Sequence, residues 1–173
     1  MAPWDPDAKL QAVNGFHRYE KRDVTFQRVI VINLDGSNYI TAQYNPKEYG
    51  IDKSAEWTET ANSKGNGPEL GFGSTKARTV SLELFFDTYE LGVDVHAKYV
   101  KHLIALMDVI NVDGKEDQKR PPRIQLEWGG KFPSFIGVVA SVSTKYTMFL
   151  PDGTAVRATC ACKFTEATRI KAK

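Results

Sequence analysis

The sequence has no long hydrophobic run. No stretch approaches the roughly 20 apolar residues that a membrane-spanning helix needs, and the N-terminal residues MAPWDPDAKLQAVNGF lack the apolar core of a secretory signal. We therefore expect no membrane partner and no conventional secretion.

Neither sign of charge predominates in the sequence. The 173 residues include 23 Lys and Arg against 21 Asp and Glu, which gives a formal net charge of +2. A dedicated nucleic-acid binder concentrates basic residues on one face to contact phosphates. The nearly balanced charge predicts that nucleic acid is not a partner.

Cysteine is rare, with only Cys160 and Cys162 in the chain. Side chains two apart in a strand point in parallel, a poor geometry for a disulfide. A zinc site would need more ligands, and the three histidines (His17, His96 and His102) form no matching cluster. We expect two free, buried thiols, no metal and a reducing compartment.

Catalytic motifs are missing as well. The sequence contains no GxSxG, HExxH, CxxC or phosphate-loop pattern. His96 and His102 are predicted to lie on different sides of a helix and to be solvated, while Asp87 and Glu90 suit backbone capping at a turn. The sequence therefore predicts a protein that is not an enzyme and binds no cofactor.

The segment Arg78–Met107 is the centre of the predicted fold. Its apolar residues first recur at every second position, as in a strand, and then at every third or fourth position, as in a helix. Val80, Leu82, Leu84 and Phe86 alternate as on a strand. A helix capped by Asp94 is then predicted. Its apolar face comprises Val95, Tyr99, Val100, Leu103, Ile104, Met107 and Ile110.

Strand patterns occupy most of the remaining chain. They are predicted at residues 23–34, 38–44, 48–53, 123–128, 134–150 and 154–166, and the last two should form a long hairpin. On strand 134–150 the inward face is predicted to include Val138, Ala140 and Val142. About six strands and one helix predict a mainly β, α+β fold, a small antiparallel barrel or strongly bent sandwich with a flanking helix.

The chain divides into three predicted segments. Residues 1–22 read as an N-terminal extension with a short helical turn near Lys9–Val13, residues 23–166 as the β domain, and residues 167–173 as a basic tail. Within the domain, Ser54–Ala77 is irregular and rich in glycine. It is either a surface loop or an arm that orders on a neighbouring subunit.

Candidate interface residues follow from these segments. Trp57, Leu70 and Phe72 are the large apolar residues of the Ser54–Ala77 segment and would anchor an arm. Val29 and Val31 lie in a strand that is apolar on both faces. That pattern fits either a barrel wall or a subunit contact.

Several sequence blocks carry a family resemblance. Five runs occur in order over residues 41–166: TAQYNPKEYGIDKSAEW, RTVSLELFFDTYE, DVHAKYVKHLIALMDV, PPRIQLEWG and FIGVVASVSTKYTMFLPDGTAVRATCACKFTE. Together they resemble the tube-like domain of contractile injection system proteins. The resemblance implies a fold related to tail-tube proteins of phage-tail-like particles.

The resemblance also implies a function. In the related baseplate proteins this domain is commonly followed by a LysM module. The present sequence stops at Lys173, so glycan binding is not expected. The implied role is a hub adaptor whose hexameric ring connects inner tube and spike to the baseplate. Its partners would be further copies of itself, a tube initiator, the spike and baseplate wedge or sheath proteins. The resemblance also implies cytoplasmic assembly into a contractile particle, either a phage virion, a released extracellular particle or an anchored system.

Two alternatives stay open. Within the family, the chain could be an inner tube or tube-initiator subunit. A different class of protein, a small-ligand-binding β-barrel, would line its cavity with Trp128, Tyr146 and Met148.

Overall fold

The structure is a computed structural model that describes residues 17–18, 28–61, 65, 67–111, 119–130 and 132–167. Its strands are β1 (His17–Arg18), β2 (Val29–Asn33), β3 (Asn38–Thr41), β4 (Tyr49–Asp52), β5 (Ala55–Thr60), β6 (Glu69–Thr75), β7 (Thr79–Asp87), β8 (Ile110–Asn111), β9 (Lys119–Arg120), β10 (Ile124–Trp128), β11 (Phe135–Phe149) and β12 (Ala155–Glu166). Between β7 and β8 lie a 3₁₀ turn (Tyr89–Leu91), a π-helical turn (His96–Val100) and the helix α1 (Lys101–Ala105).

Eight strands form one antiparallel sheet in the order β1-β3-β2-β10-β11-β12-β7-β4. The predicted mainly β fold is confirmed. Among the described residues the sheet is not closed into a barrel, since β1 and β4 remain as its edges. It curls enough for the Tyr49 ring of β4 to lie 5.9 Å from that of Trp128 on β10, a sandwich-like arrangement.

The core lies between this curled sheet and the helical segment. Alternate residues of β7 and β12 point inward as predicted, because both strands are regular and pair with each other from Arg157–Asp87 to Thr165–Thr79. Phe86 is fully buried and its ring stacks on Tyr99 of the helical segment at 4.7 Å. The inward residues of the two strands are Val80, Leu82, Leu84, Phe86, Val156, Ala158, Cys160, Cys162 and Phe164.

The predicted inward face of β11 is wrong in its first half. Val139 is buried, whereas Ala140 is exposed and Val138 is only half-buried. The pairing with β12 shifts by one residue between Val139 and Ser141. Such a bulge moves the side chains on one side of it to the opposite face, so the prediction holds for Val142 but not for the residues before the bulge.

The predicted helix face is also wrong in part. Val95 and Val100 are both 0% exposed, and their spacing of five residues matches the π-helical turn between them. This turn holds an extra residue and rotates the inward face, so that His102 and Leu103 are buried while Ile104 is exposed. The prediction that His102 is solvated is therefore incorrect.

The start of the helical segment agrees with prediction. The Asp94 carboxylate accepts a hydrogen bond from the His96 backbone N–H at 2.8 Å. The segment ends at Ala105, earlier than the apolar period through Ile110 indicates, and Ile110 instead begins β8.

The predicted hairpin near residue 35 is confirmed as β2–β3, paired from Ile30–Thr41 to Ile32–Tyr39. Its turn is held by an ion-pair cluster. The Asp35 carboxylate accepts hydrogen bonds from the Arg120 guanidinium at 2.6 and 3.0 Å and from the Arg123 backbone N–H at 2.6 Å. The cluster ties this turn to the segment that connects β9 and β10.

The ionisation of Asp35 should make the free energy of unfolding depend on pH. Burial alone raises the pKa of its carboxyl, but Arg120 and Arg123 outweigh that effect and lower the pKa from 3.8 to about 2. The stabilisation is therefore present above about pH 4 and is lost as the pH falls towards 2. We expect Asp35→Asn to lower the free energy of unfolding at pH 7 by about 2 kcal/mol.

Urea unfolding at several pH values measures this effect. The difference between wild type and Asp35→Asn should shrink as the pH falls from 4 to 2. The exposed Asp52 supplies a control, and Asp52→Asn should change little. An Asp35→Asn difference that stays constant down to pH 2 would contradict the role given to this carboxylate.

The N-terminal extension contributes to the sheet. His17 and Arg18 form β1, which pairs with Tyr39 and Asn38 of β3. The helical turn predicted at Lys9–Val13 lies outside the described residues, as does the basic tail from residue 168.

Candidate interface arm

The segment Ser54–Ala77 was predicted to be irregular, and this prediction is wrong because the segment contains the β-hairpin β5–β6. We call residues 53–77 the arm. Strands β5 and β6 form a separate two-stranded sheet, paired from Ala55–Thr75 to Thr60–Glu69. A period-two signal was available in the sequence, because Leu70 and Phe72 alternate with Gly71 and Gly73.

The arm extends one edge of the main sheet. Strand β4 leads into β5 and β6 leads into β7, and β4 and β7 are themselves paired from Tyr49–Leu82 to Asp52–Thr79. The Lys76 N–H donates to the Ser54 carbonyl at 2.9 Å, which bridges the two ladders. At about 3.3 Å per residue, the six residues of β5 carry the arm roughly 20 Å beyond the sheet.

Three apolar side chains share one face of the arm, which we call the front face. Trp57 and Phe72 are cross-strand partners whose rings meet edge to face at 5.5 Å. Leu70 is two residues from Phe72 on the same side. Their exposed fractions are 57%, 60% and 57% for Trp57, Phe72 and Leu70.

The arm is not covered by the described part of the chain. Every residue of β5 and β6 is exposed. An isolated two-stranded hairpin is marginally stable in water, and a grouped apolar surface on a soluble protein often marks an interaction site. This geometry fits a surface that is buried against a partner.

The root of the arm, by which we mean the end where β5 begins and β6 ends, is polar. The Glu56 carboxylate lies 2.9 Å from the Lys76 ammonium and accepts a hydrogen bond from Ser74 at 3.1 Å. Its hydrogen bonds, first with Lys76 and then with Ser74, lower the pKa of the fully exposed Glu56. Exposed ion pairs contribute little stability, so these contacts orient the root rather than hold the arm rigid.

Of the predicted interface residues, Trp57, Leu70 and Phe72 come together on the front face. Val29 and Val31 do not join them. Both are 1% exposed and pack in the core, so they offer no exposed side-chain surface to a partner. All of Val29–Ile32 is buried, which agrees with a strand covered on both sides.

The residues considered for chemistry have structural contacts. Asp87 accepts a hydrogen bond from the Tyr89 N–H at 2.9 Å and pairs with Arg157 at 2.6 Å, as expected for a capping carboxylate. His96 is exposed, and its Nδ1 lies 2.5 Å from the Tyr146 hydroxyl. Burial, and to a smaller extent the charge of Lys101, lowers the pKa of His102.

The thiols of Cys160 and Cys162 are free and buried. Burial raises the pKa of both, which suits inert core side chains. Among the residues described, no three or more His, Cys, Asp or Glu side chains are grouped to hold a metal ion. The described helices include none that is long and apolar enough to cross a membrane.

The residues proposed to line a ligand cavity make separate contacts. Trp128 stacks on Phe132 with ring centroids 5.0 Å apart, whereas Tyr146 bonds to His96 beside the helical segment.

One contact of the β7 edge could not be predicted from the sequence. The side-chain amide of Gln43 makes two hydrogen bonds of 2.8 Å with the backbone of Asp87. Gln43 thus replaces a strand partner at the end of β7, where β4 does not reach.

Comparison with known proteins identifies a family for the chain. Individually curated proteins gave no match to the chain. The model of one protein family, described as contractile injection system tube protein, matches residues 20–173. This match covers the whole sheet from β2 onward together with the arm, and the chain belongs to the contractile injection system tube protein family.

Proposed function

We propose that this tube-family protein is the hub adaptor of a contractile injection particle. It forms a hexameric ring between the inner tube and spike on one side and the baseplate on the other. Its partners are copies of itself, the tube initiator, the spike and the wedge or sheath proteins. Assembly takes place in the cytoplasm.

The observation that carries the ring is the uncovered front face of the arm. Trp57, Leu70 and Phe72 project from one edge of the sheet, away from the core of their own chain. A neighbouring copy that covers them would make a head-to-tail contact. Contacts of this kind close into a ring when the rotation between copies divides the circle.

A second feature supports contact at the same edge. The outer side of β4 is an edge of the main sheet, and Gly50, Ile51 and Asp52 are exposed. Edge strands offer unpaired backbone groups to other chains. The arm and this edge are continuous along the chain, so one neighbour could cover both.

The second candidate is an inner tube or tube-initiator subunit, which the family description favours. The sequence blocks shared with LysM-bearing baseplate proteins favour the adaptor. All of these roles need the same ring contact. An inner tube subunit would form many stacked rings per particle, whereas an adaptor or a tube initiator would form one.

Copy number in purified particles therefore distinguishes an inner tube subunit from an adaptor. An adaptor should be present as a single hexameric ring, in a fixed ratio to the spike that does not change with particle length. Quantitative mass spectrometry with labelled peptides measures this ratio, and the sheath protein provides an internal standard that increases with length. A copy number that increases with the sheath would reject the adaptor in favour of the tube.

A further inference from the structure

A polar cleft lies between the turn of the β2–β3 hairpin and strand β8, apart from the arm. Its volume of about 440 Å³ falls in the range of small-ligand sites. Asp35, Ser37, Asn111 and Arg123 supply most of its polar lining. The function proposed above uses none of these residues, so the cleft needs an explanation of its own.

Positive charge exceeds negative charge at this cleft. The Asp35 carboxylate already pairs with the Arg120 guanidinium at 2.6 Å. Arg123 adds a second guanidinium, and Lys119 adds an ammonium group on the strand residue opposite Asn111. Among the described residues that line the cleft or pair with its lining, three cations thus accompany one carboxylate. This balance favours a negatively charged ligand.

The side chain of Arg123 is the cation that a ligand can reach. It is 36% exposed, and its hydrogen bond to Asp35 is long at 3.4 Å. Its Nε is buried and has no hydrogen-bond partner in the part of the chain that the structure describes. Arg120, by contrast, makes two shorter bonds to the same carboxylate, of 2.6 and 3.0 Å. Asp35 therefore engages Arg120 fully and leaves donors of Arg123 unused.

We propose that this cleft binds an oxyanion, a carboxylate or phosphate group, through the Arg123 guanidinium. Guanidinium groups bind both kinds of anion by charge-assisted hydrogen bonds. The Ser37 hydroxyl and the Asn111 amide, which line the same cleft, are further donors. The anion is either free in solution or an acidic side chain of another particle protein. The inference does not depend on the ring contact of the arm.

Thermal unfolding of the full chain in phosphate and in acetate, each against chloride at equal ionic strength, tests the site. A ligand that binds only the folded state stabilises it, so at least one of the two anions should raise the Tm by about 2–4 °C and then saturate. Phosphate also stabilises proteins that have no site for it, because it is excluded from their surfaces. Saturation and a matched variant are therefore both needed.

Arg123→Gln should lose the saturable response. The backbone N–H of residue 123, which donates to Asp35 at 2.6 Å, is kept in this variant. Arg157→Gln is the matched control and should respond like wild type, because Arg157 also pairs with an aspartate, Asp87, and its side chain is 38% exposed. Ser37→Asp is a second variant that leaves both arginines in place. It adds a carboxylate to the cleft and should abolish the response as well.

Incorporation into particles separates the two sources of the anion. If an acidic side chain of a partner occupies the cleft, Arg123→Gln should lower incorporation at least about tenfold, the effect of one lost charge-assisted hydrogen bond. If the anion is free, incorporation should stay at the wild-type level while the Tm response is lost. A response to neither anion, or equal responses in Arg123→Gln and Arg157→Gln, would overturn the site and leave the ring proposal intact.

Discussion

Deletion of Glu59–Gly73 should leave a folded, soluble chain that no longer enters assembled particles. The deleted residues come from the outer part of the arm, and those that the structure describes are exposed. The core and the eight-stranded sheet are untouched, so the thermal unfolding midpoint should stay close to that of wild type. Assembly should fail because the ring contact loses Leu70 and Phe72.

A smaller change tests the same contact with less disturbance of the backbone. The double variant Trp57→Ser, Phe72→Ser removes the ring pair of the front face and should also prevent incorporation. Its matched control, Trp57→Phe with Phe72→Tyr, keeps two aromatic rings and should assemble. Incorporation is measured by quantifying the chain in purified particles. Normal copy number for the deletion variant would show that the arm is a passive loop.

The second large effect that we expect is on the free energy of unfolding. Leu103→Ala should lower the free energy of unfolding by about 2–5 kcal/mol, because Leu103 is fully buried and the change leaves a cavity. Ile104→Ala removes a similar side chain that is 37% exposed, so it should cost less than about 1 kcal/mol. The two residues are adjacent, and the π-helical turn decides which of them faces the core.

Denaturant unfolding of both variants measures this contrast. Equal costs for Leu103→Ala and Ile104→Ala would mean that the helix face is the unrotated one indicated by the sequence. A larger cost for Ile104→Ala would contradict the π-helical turn itself.

Regular strands could be predicted from the sequence because their side-chain alternation is not interrupted. The inward residues of β7, such as Leu82 and Leu84, needed only the period of two. The shift in β11 could not be predicted in the same way. The bulge near Ala140 depends on how β11 pairs with β12, and a hydrophobic pattern on one strand does not contain that register.

The inward face of the helical segment could not be predicted from the sequence for a similar reason. A period of three to four assumes α-helical geometry, and one π-helical turn between Val95 and Val100 is enough to exchange His102 and Ile104 between core and surface. In that turn the ring of Tyr99 stacks on Phe86 of the sheet. Local sequence does not encode this packing.

The candidate site was predicted by composition rather than by structure. Trp57, Leu70 and Phe72 stood out as apolar residues in a polar, glycine-rich segment, which was sufficient to identify an arm. Its hairpin was not predicted, because an arm without a core has only one weakly alternating strand pattern. Val29 and Val31 could not be assigned in this way, because a strand that is apolar on both faces has the same sequence pattern in a core and at an interface.

Electron cryomicroscopy of the intact particle, with this subunit located by a fused tag, tests the central claim most directly. The ring hypothesis predicts a closed six-fold ring near the spike, in which the Trp57 and Phe72 rings of each copy are covered by a neighbouring copy. A map in which the chain has no like neighbour, or in which the arm extends freely into solvent, would contradict it.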